Sequence, residues 1–146
     1  MPAYDTGQPR ILIVDDDRAI LELLHTRLTL AGYDVFSARN GHEALTRLSN
    51  LRPAAMVLDL SMPSLDGFGV LQQMGKVWTS RTPTLVLTAR NGTADVQRAI
   101  QLGARDYLAK PFRDDELLMR VKRLFRRPVD RRSLDETVTA IEQLLD

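Results

Sequence analysis

Ile11-Leu12-Ile13-Val14-Asp15-Asp16-Asp17 is the stretch that decides the fold. Four aliphatic residues in a row lack the alternation of a strand with one wet face, so they predict a strand covered on both sides, the usual state of a parallel sheet. Three carboxylates follow at once. Asp17 then stands before Ile20, Leu23, Leu24 and Leu28, whose three- and four-residue spacing predicts a helix that Asp17 caps and Gly32 stops.

The same alternation continues outward. Further β-branched or apolar runs occur at Tyr33–Phe36, Ala55–Leu58, Thr84–Leu87 and Asp106–Ala109, with helical spacing over about 41–51, 67–77, 93–102 and 114–126. Five β-α units in succession predict an α/β fold, a doubly wound five-stranded parallel sheet with helices on both faces. The site of such a sheet lies beyond the carboxyl ends of its strands. Those ends carry Asp15, Asp16 and Asp17 after the first run, Asp59 after the third, Thr88 after the fourth and Lys110 after the fifth.

The chemistry of these residues is mutually consistent. Carboxylates gathered at one end of a sheet repel one another unless a cation lies among them, and Mg²⁺, which accepts carboxylate, water and phosphate oxygens, suits them. A carboxylate can attack phosphorus to form an aspartyl phosphate. A lysine ammonium and a threonine hydroxyl can answer the phosphoryl oxygens. Taken singly, each residue is equally compatible with a cap, a turn or a surface position; their placement at four strand ends points to a magnesium-dependent phosphoryl acceptor.

Val14-Asp15-Asp16, Leu58-Asp59 with Met62-Pro63, Thr88-Ala89 and Lys110-Pro111-Phe112 together make residues 9–126 resemble the CheY-like receiver domains of two-component response regulators. The resemblance implies a flavodoxin-like fold of strand order 2-1-3-4-5, with Asp59 as phosphoacceptor from a sensor histidine kinase or phosphotransfer protein. It also implies that Asp15, Asp16, Asp59 and the Ser61 backbone carbonyl hold Mg²⁺, and that Thr88 and Lys110 contact the phosphoryl oxygens. Lys110-Pro111 is expected to be cis, and Tyr107 to be a switch aromatic coupled to Thr88. Such a protein is a phosphoryl acceptor and binding protein rather than an enzyme. Ser61 and Arg90 occupy positions that vary among receivers and bear on phosphoryl lifetime.

Composition adds two constraints. The 146 residues include no cysteine, which removes disulfides, zinc-thiolate sites and thiol nucleophiles, and no apolar run is long enough to cross a membrane, so a cytoplasmic location is expected. The formal charge of +1 is a cancellation: Arg120–Arg132 holds seven basic residues against Asp130, and the rest of the chain carries −5.

A receiver domain is therefore expected over 9–127, followed at 128–146 by an arginine-rich segment and a short extra C-terminal helix. Pro128 should end the fifth helix, and Ser133 with Glu136 reads as a capping box. Leu134, Val138, Ile141 and Leu145 would form its apolar stripe, with no DNA-binding domain in this segment. Arg123, Arg126, Arg127, Asp130, Arg131 and Arg132 offer guanine- and phosphate-binding chemistry. The segment resembles the arginine motifs of cyclic di-GMP receptors, specifically a CheY-like subclass whose tail binds that messenger and whose partner is the flagellar motor switch. A solvated basic helix end, a phosphorylation-only receiver and the receiver fragment of a longer transcriptional regulator remain alternatives.

Overall fold

The computed structural model describes residues 7–89, 92–126 and, near the C-terminus, 141, 143 and 144. Five strands, β1 (Arg10–Val14), β2 (Asp34–Ala38), β3 (Ala55–Asp59), β4 (Thr84–Thr88) and β5 (Asp106–Ala109), alternate with five helices. These are α1 (Arg18–Leu30), α2 (Gly41–Leu51), α3 (Gly67–Arg81), α4 (Thr93–Gln101) and α5 (Asp114–Leu124). All strand pairs are parallel, in the order β2-β1-β3-β4-β5. The expected doubly wound sheet and its strand order are thus both present. Ile141, Gln143 and Leu144 are helical, in keeping with an extra C-terminal helix, whereas 127–140 lie outside the described residues.

The unalternating runs are explained by a core on each side of the sheet. Leu12, Val14, Met56, Leu58 and Val86 face α2, α3 and α4 through Ala44, Leu48, Phe68, Leu71 and Ala99. Ile11, Ile13, Val57, Leu85 and Leu87 face α1 and α5 through Leu24, Leu28, Leu117 and Val121. β1, β3 and β4 are central, so both sets of side chains are removed from water, each large aliphatic side chain contributing about 1.5–3 kcal/mol relative to exposure.

Local chemistry sets the helix ends. The Asp17 carboxylate accepts from the Ala19 amide at 2.9 Å, as the N-cap reading predicts, and Asn40 and Asp66 do the same for α2 and α3. Most elements differ from the sequence reading by a residue or two at an end, and three boundaries have a visible local setting. β2 begins at Asp34, which pairs with Arg10, while the Tyr33 ring stacks on Phe125 at 5.4 Å. α3 runs on to Arg81 through a break at Gly75, whose φ of 71° leaves the helical region. α5 stops at Leu124, before Pro128, and the Arg105 guanidinium donates to the Leu124 and Arg126 carbonyls there.

Candidate phosphoacceptor site

The carboxyl ends of β1, β3, β4 and β5 converge, bringing together residues up to 95 positions apart. Carboxylate oxygens of Asp15, Asp16 and Asp59 lie within 4.8 Å of one another. The Lys110 ammonium reaches in from the end of β5, 2.7 Å from Asp15 Oδ2 and 3.4 Å from Asp59 Oδ1. Asp15 is fully buried and Asp59 is 4% exposed, whereas Asp16 faces solvent. Two carboxylates are therefore fixed in the protein and the third forms the open lip.

Backbone groups orient the acids. The Asp17 amide donates to Asp15 Oδ1 at 2.9 Å, and the Ser61 amide donates to Asp59 Oδ1 at 3.4 Å. The Asp15 amide in turn donates to the Ala38 carbonyl at 3.2 Å, tying the site to the end of β2. Thr88 is fully buried at the end of β4, and its carbonyl accepts from the Lys110 amide at 2.8 Å. The Lys110-Pro111 peptide is cis, as the resemblance implies. Tyr107, on edge strand β5, is 39% exposed and so stands on the outer surface.

The electrostatics follow from this geometry. Burial pushes the Asp59 carboxyl up from the ordinary 3.8 to about 6; the Asp15 charge adds to the rise, while Lys110 and the Ser61 amide oppose it. Burial alone would lower the Lys110 ammonium, but its hydrogen bond to Asp15 and the charges of Asp59 and Asp15 outweigh that and hold it above its ordinary value. Among the described residues, the Lys110 ammonium faces Asp15 and Asp59, and Asp16 completes the cluster. The donor set is all hard oxygen with an unbalanced negative charge, which fits Mg²⁺ through a few carboxylates and water.

The expected residues Asp15, Asp16, Asp59, Lys110, Ser61 and Thr88 are therefore all at one end of the sheet. Arg123 and Arg126 lie on α5 and just beyond its end, both exposed and apart from this site; Arg90, Arg127, Asp130, Arg131 and Arg132 lie outside the described residues. Sequence reasoning missed Gly67. A Cβ there would come 2.4 Å from the Asp59 carbonyl oxygen, so the start of α3 lies directly against the Asp59 backbone. The Asp66-Gly67 pair, an N-cap followed by a residue with no side chain, is the signal that could have exposed it.

Residues 11–122 match the family model for the response regulator receiver domain. The chain is 44% identical over 124 residues to the probable transcriptional regulator ycf27 of Porphyridium aerugineum, and 48% identical over 118 residues to the response regulator MprA of Mycobacterium sp. (strain KMS). Those alignments take in 85% and 81% of this chain but 50% and 51% of the relatives, so the chain spans about half the length of the curated relatives it matches. Among solved structures, the chemotaxis protein CheY4 of Vibrio cholerae superposes with a TM-score of 0.76 at 30% identity, over 81% of this chain and 99% of that one. A putative response regulator from Chloroflexus aurantiacus gives 0.74 at 36%, over 80% and 97%. Strand order, acidic cluster and matched span agree, and the chain belongs to the response regulator receiver domain family.

Proposed function

We propose that residues 9–127 form a phosphorylation-controlled receiver in which Asp59 accepts a phosphoryl group from a phosphohistidine on a sensor kinase or phosphotransfer protein. The observation that carries this reading is the trio of carboxylates within 4.8 Å, two of which, Asp15 and Asp59, are bridged by the Lys110 ammonium. An Asp59 oxygen forms the new bond to phosphorus as the phosphorus–nitrogen bond breaks, and the electron pair leaves with the imidazole, which takes up a proton. Asp15, Asp16, Asp59 and the Ser61 carbonyl would hold Mg²⁺, which supplies positive charge to the phosphoryl oxygens when bound. Lys110 and Thr88 answer the remaining oxygens, and Tyr107 and the α4-β5-α5 face carry the change to a partner. Incubation with Mg²⁺ and acetyl phosphate should label the wild type and leave Asp59→Asn unlabelled; absence of wild-type labelling sinks the proposal.

The output is a separate question. The names of the relatives and their roughly doubled length support a receiver that serves a transcriptional regulator, in preference to the flagellar motor switch. The cyclic di-GMP reading rests on the arginine segment of 128–146 together with Arg123 and Arg126, whose exposure at the end of α5 leaves them accessible to a dianionic ligand. Calorimetric titration with cyclic di-GMP tests it. Binding that is absent, or that survives alanine replacement of Arg126, Arg127, Arg131 and Arg132, ends that reading.

A further inference from the structure

A pocket lies at the end of the sheet opposite the acidic cluster. Arg52, Pro53, Trp78, Arg81 and Thr82 line a pocket of about 300 Å³. Pro53 and Thr82 precede β3 and β4, so the pocket is separated from Asp59 and Thr88 by the length of a five-residue strand, roughly 16 Å. Its floor is knit together: the Thr82 hydroxyl donates to the Pro53 carbonyl at 3.4 Å, and the Thr82 amide to the Trp78 carbonyl at 2.8 Å.

Three features set this pocket apart from an ordinary basic surface. Arg52 and Arg81 are exposed, and among the described residues neither guanidinium has an ion-pair or hydrogen-bond partner. Arg52 holds a left-handed backbone, φ 45°, at a helix C-cap where glycine is the unstrained choice. Trp78, the chain's single tryptophan, is 36% exposed and is also the wall of an adjoining cleft lined by Leu45, Leu48 and Met74. An exposed indole lining the same pocket as two guanidiniums without a partner among the described residues combines an aromatic stacking surface with anion-binding forks.

The geometry points to a binding site for a nucleoside phosphate, its base stacked on Trp78 and its phosphate held by Arg52 and Arg81. Such a ligand matches both halves of the site, since every base offers a π-face and Arg binds phosphate through paired donors. The site is independent of the acceptor chemistry at Asp59. Phosphorylation therefore serves as an internal control.

The test is titration of the full chain with adenosine 5′-monophosphate, followed through the one tryptophan indole N–H resonance. A saturable shift at millimolar or lower concentration is expected, with weaker effects from adenosine alone and from inorganic phosphate alone. Arg52→Gly, which suits the left-handed backbone, and Arg81→Ala should each weaken binding about ten-fold, the loss expected for a charge-assisted hydrogen bond, while Asp59 labelling stays at the wild-type level. No saturable shift, equal binding by adenosine or by inorganic phosphate, or undiminished binding in the double variant would overturn the assignment.

Discussion

Replacing Asp59 by asparagine should stabilise the metal-free protein at neutral pH. Oxygens of Asp15 and Asp59 at up to 4.8 Å repel by about 3.5 kcal/mol at an effective dielectric of about 20. Lys110, 3.4 Å from Asp59, attracts by about 5 kcal/mol on the same scale. Charges largely cancel, and burial decides the outcome: the Asp59 carboxyl titrates at about 6 when folded against 3.8 ordinarily. Between those values the folded chain keeps a proton that the unfolded chain has lost, so stability falls as pH rises through this window. Below it the penalty is absent; above it the penalty is complete, at most about 3 kcal/mol. Asparagine carries no charge yet keeps an oxygen for the Ser61 amide and Lys110. Urea unfolding in EDTA should therefore show Asp59→Asn about 1–3 kcal/mol more stable than wild type at pH 7.5, and nearly equal to it close to pH 4. Saturating Mg²⁺ should narrow the gap by stabilising the wild type more. A variant less stable than wild type at pH 7.5, or one with the same pH slope, would refute the reasoning.

Other perturbations probe the supports of the site. Lys110→Ala leaves the fully buried Asp15 without its 2.7 Å partner and should cost roughly 3 kcal/mol in urea unfolding, with acceptor labelling lost. Gly67→Ala forces a Cβ against the Asp59 carbonyl oxygen; a loss of about 1–3 kcal/mol by the same assay, with slower labelling, is expected. Asp17→Ala removes the α1 cap and should lower stability by about 1 kcal/mol in thermal unfolding while labelling survives, because the Asp17 backbone amide still reaches Asp15.

How much of this was legible beforehand depended on the range of the interaction. Ile11–Val14 announces a strand covered on both faces because burial of consecutive side chains is written in consecutive letters. Asp17 as a cap was equally visible, since its partner is the Ala19 amide two residues away. The strand-end rule located Asp15, Asp59, Thr88 and Lys110, because topology alone brings parallel strand ends together. Contacts that depend on shape were not visible. The Tyr33 amide donates to the Leu28 carbonyl at the end of α1, so the β2 ladder begins at Asp34; a second helical piece resumes after the Gly75 break and carries α3 to Arg81; and Arg105 donates to the Leu124 carbonyl at the end of α5. Arg52, Trp78 and Arg81 likewise meet only because the ends of α2 and α3 lie side by side.

The most direct test of the central claim is to locate the phosphoryl group itself. Wild-type protein treated with Mg²⁺ and acetyl phosphate, then reduced with borohydride and mapped by peptide mass spectrometry, should carry homoserine at position 59 alone, and none without Mg²⁺. Homoserine at Asp15 or Asp16, or no modification at any carboxylate, would contradict the account.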